Sequence, residues 1–233
     1  MKIKKIMLGI GVICMSEIAG SIGACGIDKQ EWEKQTRELL QEKYGEDFEI
    51  LSVGKSYGNM GNATYTALCR PMLDEDCLFL TEADKDGEYF QDEYISTLIS
   101  EKIENALDQG LEGVADDCYI HVAPGSKYVD SADTDMTLGE FLQMNPKNRF
   151  AVYAAVKGDS RQAEEIINRL NHVLAGMDKI NGSLRLSFLD QDGVDAVRER
   201  MERQGVTDSG FMELLSHGEE RTFDIREGRI QGV

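Results

Sequence analysis

Residues 90–109, FQDEYISTLISEKIENALDQ, decide how this chain folds. Phe90, Tyr94, Leu98, Ile99, Ile103, Ala106 and Leu107 recur at the three- and four-residue spacing of one helical face, and the positions between them are polar. The pattern predicts a helix over about residues 91–109 with a continuous apolar stripe. Such a stripe has to be covered by another layer, and the flanking sequence supplies strands to do it. On the N-terminal side, Phe48–Val53, Ala63–Cys69 and Cys77–Ala83 read as strands, while the Gly- and Asn-rich link 54–62 has turn composition. Ahead of them, residues 28–44 read as a helix. Asp28 is placed to cap it, Trp32, Thr36, Leu39 and Leu40 form its inner side, and Gly45 ends it.

On the C-terminal side, Cys118–Ala123 reads as a strand that stops at Pro124-Gly125, and Met136–Met144 as a short helix started by Asp135. The polar link 145–148, Asn-Pro-Lys-Asn, has the composition of a boundary between halves. Phe150–Val156 is apolar on both faces, as a central strand is. A helix capped by Asp159 or Ser160 follows, with Ala163, Ile166, Ile167, Leu170, Val173 and Leu174 on one stripe. Leu184, Leu186 and Phe188 alternate with Arg185 and Ser187 as a half-buried strand, and residues 193–204 read as a polar helix. Phe223 and Ile225 lead to a tight Glu227-Gly228 turn before a last strand. No internal repeat interrupts the series. Strands and helices mix without a strict βαβ rhythm, so the expected class is α+β, with helices packed on mostly antiparallel or mixed sheets in two small sandwich-like halves, 25–146 and 147–233, either separate or sharing one sheet.

The chain has 233 residues, 41% hydrophobic and 29% charged, with a formal net charge of −18. That composition belongs to a folded protein, and its charge excludes nucleic acid and anionic lipid headgroups as natural partners of the surface at large. The first residues differ from the rest. Lys2, Lys4 and Lys5 precede an apolar stretch that ends in Ile22-Gly23-Ala24-Cys25, which has the basic, apolar and small-residue regions of a secretory signal in order. Ile22, Gly23, Ala24 and Cys25 together resemble the lipobox of bacterial lipoproteins. The resemblance implies a signal peptide over residues 1–24, cleavage before Cys25, and diacylglycerol on the Cys25 sulfur. The protein would then sit on the extracytoplasmic face of the cell membrane, held by two or three acyl chains. An ordinary secreted protein and an uncleaved N-terminal anchor remain the alternatives. The layout of the first 120 or so residues, with the run EKYGEDFEILSVG at 42–54 and the DKDG turn at 84–87, is similar to small lipoproteins of Gram-positive, clostridia-type bacteria; this implies location and no activity.

Motifs for chemistry are sparse. Neither a P-loop, a His-Glu-x-x-His pair nor a Gly-x-Ser-x-Gly elbow occurs. Ser52-x-x-Lys55 matches a nucleophile motif without its Lys-Thr-Gly partner, and Asp159-Ser160 is better used as a helix cap. The three histidines, His121, His172 and His217, form no recognisable set. The nearest approach to a metal motif is Glu82-x-Asp84-x-Asp86-Gly87 with Glu93, which has the oxygen spacing of a calcium loop, although Asp-Gly is also a favoured hairpin turn. Cys69 and Cys77 flank a polar turn across which a disulfide is geometrically feasible; with Cys118 and His121 they make a weaker zinc set, because positions three apart in a strand face opposite ways. No cofactor is implied. Two functional classes follow. One is a lipid-anchored, non-catalytic accessory that binds an unidentified protein or small-molecule partner. The other is an extracytoplasmic hydrolase that uses carboxylates on wall or extracellular polymer.

Overall fold

A computed structural model describes residues 29–55, 64–204 and 213–232. The elements run α1 (Lys29–Tyr44), β1 (Phe48–Lys55), β2 (Thr64–Pro71), β3 (Phe79–Asp84), β4 (Phe90–Asp92), α2 (Tyr94–Leu111), β5 (Cys118–Pro124), α3 (Leu138–Met144), β6 (Phe150–Lys157), α4 (Ala163–Ala175), β7 (Gly182–Leu189), α5 (Gln191–Gln204), β8 (Glu219–Arg226) and β9 (Arg229–Gln231). The fold is α+β. β1 to β4 form an antiparallel sheet in sequence order. β5 to β9 form a second sheet, also in sequence order, in which only the β6–β7 pair is parallel, since α4 carries the chain back between them.

The apolar stripe of α2 serves both sheets. Ile95, Ile99, Ile103, Leu107 and Leu111 are buried with α4 against Ile120, Val152, Ala154, Leu184 and Leu186 of the second sheet. Tyr94, at the start of the same helix, packs instead with Phe48 and Phe79 under the first sheet, beside Leu40 of α1. The far face of the second sheet is covered by α5, where Val194, Val197 and Met201 make a narrow stripe inside a helix whose composition is otherwise polar. The strand alternation sends Val152, Ala154 and Val156 to the α2–α4 side and Ala155 to the α5 side.

Two expectations are corrected here. Phe90–Asp92 pairs with β3 rather than starting the helix, which begins at Tyr94. The cap of α3 is Thr137, whose hydroxyl accepts the Glu140 N–H while Glu140 accepts the Thr137 N–H; this capping box satisfies two otherwise orphaned donors, and Asp135 has no part in it. The link at 145–148 joins α3 to β6, and β5 pairs along its whole length with β6, so the second sheet runs across the link. The chain passes from the first sheet to the second through α2. Local composition marks a turn but does not say which strands the turn joins.

Two polar contacts fix the joints. The Asp92 side chain is 1% exposed and takes three donors: Lys43 Nζ at 2.7 Å, Tyr44 OH at 2.6 Å and the Tyr94 N–H at 3.1 Å. It thereby clamps the end of α1 to the start of α2. At the edge of the second sheet, Glu104 Oε1 accepts the Val122 N–H at 2.7 Å and lies 2.9 Å from His121 Nδ1. The helix carboxylate blunts an edge strand that would otherwise offer a free donor.

Candidate functional site

A cleft of about 930 Å³ opens at one end of the second sheet. Arg149 enters it from the residue before β6, Lys179 and Asn181 from the loop between α4 and β7, Asp224 and Arg226 from β8, and Arg229 and Gln231 from β9; Ala175 and Met177 supply its apolar part. The register explains the convergence. Phe150 pairs with Gly182 and Gly182 with Ile225, so the ends of β6, β7 and β8 lie side by side. Gly182 is needed for that alignment, because a Cβ there would run into the Phe150 carbonyl oxygen. The turn after β8 is the two-residue kind foreseen at Glu227-Gly228, with φ of 49° and 72°. It is tied down by the Glu227 N–H to Asn181 Oδ1 at 3.0 Å and the Gly228 N–H to the Ile180 carbonyl at 2.8 Å.

Within the cleft, Asp224 organises two guanidiniums. Arg226 Nε donates to Oδ2 at 2.6 Å and Arg149 Nη2 to Oδ1 at 2.8 Å, and the same Arg149 nitrogen reaches the Gly182 carbonyl at 3.1 Å. The Arg226 hydrogen bond, then that of Arg149, holds the Asp224 carboxyl below the usual carboxylate range. Lys179 lies 3.3 Å from Glu227. Among the described residues, no carboxylate pairs with Arg229. Four cationic side chains and two anionic ones therefore line one cleft of a chain whose net charge is −18. The lining has no serine, cysteine, histidine or tyrosine, and both carboxylates lie against cationic side chains. Guanidiniums stay charged at any physiological pH and present planar N–H donors, so this arrangement suits binding of a carboxylate or phosphate rather than acid–base or nucleophilic chemistry.

The residues singled out from sequence lie elsewhere. Cys25 falls outside the described residues, as does the side chain of Lys55 in the Ser52-x-x-Lys55 pair. Glu82 and Asp84 are on β3 and Asp86 in the turn after it. Glu82 accepts from Thr64 at 2.7 Å, and Glu93 pairs with Lys127 at 3.1 Å. Among the described residues no group of three or more His, Cys, Asp or Glu side chains is arranged to hold a metal ion. Cys69 and Cys77 are both buried and both free thiols. Cys69 Sγ lies 3.9 Å from the Thr81 hydroxyl, because Cys69 pairs across the sheet with Phe79, two residues beyond Cys77. Cys118 contacts Asp108 at 3.3 Å. Asp159 is a cap, accepting the Arg161 N–H at 2.8 Å. His121 is in β5, His172 on an exposed part of α4 and His217 in the bend before β8.

One carboxyl outside the cleft is raised into the neutral range. Burial pushes Glu101 up to about 7, with Asp74, Glu104 and Asp76 adding like-charge repulsion against a hydrogen bond to the Cys77 thiol that works the other way. Glu101 does not line the basic cleft. Sequence reasoning missed the basic cleft. Arg226 and Arg229 are visible on either side of the Glu-Gly turn, but Arg149 and Lys179 join them only through sheet register.

No family model matches the chain, and no curated protein matches it. Among solved structures, the fold is similar to the crystal structure of a DUF5037 family protein from Ruminococcus gnavus ATCC 29149, with a TM-score of 0.65 and 16% identity over 87% of this chain and 95% of that one. At that identity the likeness is one of fold. Its source is a clostridia-type bacterium, the group to which the layout of the first 120 or so residues is similar.

Proposed function

We propose that this chain is a lipid-anchored extracytoplasmic protein, held on the cell membrane through Cys25, and that it acts as a non-catalytic accessory by binding an anionic group of a partner or ligand in the basic cleft. The observation that carries the binding role is the convergence of Arg149, Lys179, Arg226 and Arg229 in a chain that is otherwise strongly acidic. The acidic surroundings also limit what enters. A long polyanion would meet repulsion beyond the cleft, whereas a short anionic segment fits within about one Debye length, roughly 8–10 Å, of the guanidiniums. The anchor rests on the lipobox-like Ile22-Gly23-Ala24-Cys25.

Two measurements test the proposal. Titration of the full chain with a hexaglutamate peptide and with inorganic tripolyphosphate is expected to give binding that weakens as salt rises and is lost in Arg226→Ala/Arg229→Ala; binding unchanged in that variant would remove the cleft from the function. Intact mass of membrane-extracted protein is expected to show added acyl chains on wild type and none on Cys25→Ala, and a wild-type mass without them sinks the anchor.

A hydrolase remains the second reading because of Glu101, a carboxyl poised to donate a proton near neutrality. It is the weaker one, since Glu101 stands apart from the basic cleft. Wall-polymer hydrolysis lost in Glu101→Gln would reverse the order.

A further inference from the structure

The turn between β2 and β3 is an unusual piece of surface. Leu73 is 97% exposed and Met72 59% exposed, and Asp74, Glu75 and Asp76 follow directly. The turn is well tied. The Met72 N–H donates to the Asp47 carbonyl at 2.9 Å, the Asp74 N–H to the Pro71 carbonyl at 3.3 Å, and the Asp76 N–H to Asp74 Oδ1 at 3.2 Å. The Leu78 N–H reaches the Asp76 carbonyl at 3.0 Å. Arg70 is the cation nearest in sequence; it pairs with Glu49 at 2.6 Å, and its Nη1 reaches the Glu75 carbonyl, not the side chain, at 3.5 Å. Among the described residues no cation pairs with Asp74, Glu75 or Asp76. The backbone thus holds two apolar side chains in water beside three carboxylates that make no ion pair among the described residues. A shape fixed in advance loses little conformational entropy on docking.

The chemistry complementary to this tip is a net-positive cleft with some apolar lining, and the same chain has one. The basic cleft brings Arg149, Lys179, Arg226 and Arg229 together with Met177 and Ala175, and against Asp224 and Glu227 in the same lining the four cations leave two net positive charges. We propose that the occupant of the cleft is the Met72–Asp76 tip of a second copy of this chain, so that copies associate tip to cleft. This rests on the binding role assigned to the cleft above and names its partner. The two surfaces differ, so the contact is heterologous and leaves a free tip and a free cleft at either end, and the pairing extends into open chains of copies unless the rotation closes a ring. A contact this small is weak in dilute solution. Copies gathered on one surface gain effective concentration, and the contact strengthens without any new interaction.

Charge reversal separates this from other modes of association. Sedimentation velocity of the full chain in mild detergent, from about 10 μM to 1 mM protein, is expected to show reversible, concentration-dependent association for wild type, weaker at about 0.5 M than at 0.05 M salt. Asp74→Lys/Asp76→Lys makes both tip and cleft positive, and Arg226→Glu/Arg229→Glu makes both negative. Each variant alone is expected to associate about tenfold more weakly or not at all, and an equimolar mixture to associate again, since each tip then meets an oppositely charged cleft. A wild type that stays monomeric over the whole range, or single variants that associate as wild type does, or a mixture that fails to recover, overturns the proposal. The binding role of the cleft is judged separately: hexaglutamate binding retained by the tip variant, with no self-association in wild type, leaves that reading standing and removes only this one.

Discussion

Asp92→Ala is expected to cost the protein about 3 kcal/mol of stability, a loss that follows from what the side chain holds. Its carboxylate is 1% exposed and accepts from Lys43, Tyr44 and the Tyr94 backbone. Removing one partner of a buried ion pair typically costs about 3–5 kcal/mol, because the remaining charge is left uncompensated. The Lys43 side chain is 24% exposed, so its ammonium can swing toward water, which places the cost near the lower limit. For a chain of this size each kcal/mol lowers the melting temperature by about 2–4 °C, so the shift is about 6–12 °C. Urea and thermal unfolding of the wild type and Asp92→Ala give the number directly. Lys43→Met separates the two halves of the pair, because it leaves the carboxylate with Tyr44 and the Tyr94 N–H. A double-mutant cycle should show coupling well above the roughly 0–1 kcal/mol of an exposed pair. If Asp92→Ala costs less than about 1 kcal/mol, the clamp between α1 and α2 is not a stabilising element and the account of that joint is wrong.

Further outcomes are expected. The raised Glu101 group binds its proton more tightly in the folded than in the unfolded chain, so its contribution is fully present below the unfolded value near 4.5 and is lost as pH rises through about 7. Urea midpoints from pH 4 to 8 should therefore fall less steeply over that window in Glu101→Gln than in wild type, and equal slopes would contradict the assignment. Gly182→Ala pushes a methyl group into the Phe150 carbonyl and should destabilise by about 2–3 kcal/mol while splaying the cleft; a neutral effect in thermal melts would mean that β6 and β7 do not approach as described. Thr137→Ala removes the capping box of α3 and should cost about 1 kcal/mol in urea unfolding. Cys69 is held up to about 12 by burial and Cys77 is raised further by the same cause. Both should resist a maleimide near pH 8 until denaturant is added, and their rapid native modification would contradict their burial.

Much of the fold was legible because periodicity is a local property. The stripe of α2, the Trp32–Leu40 side of α1, the alternation of β7 and the apolar run of β6 each follow from the way a helix or strand presents its side chains to one neighbouring layer. Even the Glu227-Gly228 turn was readable, since left-handed backbone at two successive positions favours a glycine. The stripe of α5 was harder to see, because Val194, Val197 and Met201 are few among charged residues and only the exposed-looking face of the sheet shows what they cover. β4 was hidden because Phe90 also fits the helical stripe, and only its pairing with Ala83 draws it into a sheet.

The sequence by itself determined the α+β class, most of the elements and the acidic character of the chain, since composition and spacing act within a few residues of one another. Tertiary structure alone decided the rest. It assigned β5 to the second sheet, let one helix serve two cores, buried Asp92 among three donors, and brought Arg149, Lys179, Arg226 and Arg229 to one cleft. Those four cations come from segments up to 80 positions apart. What joins them is strand register, which is set by long-range hydrogen bonding and burial and is not written in any single stretch of chain.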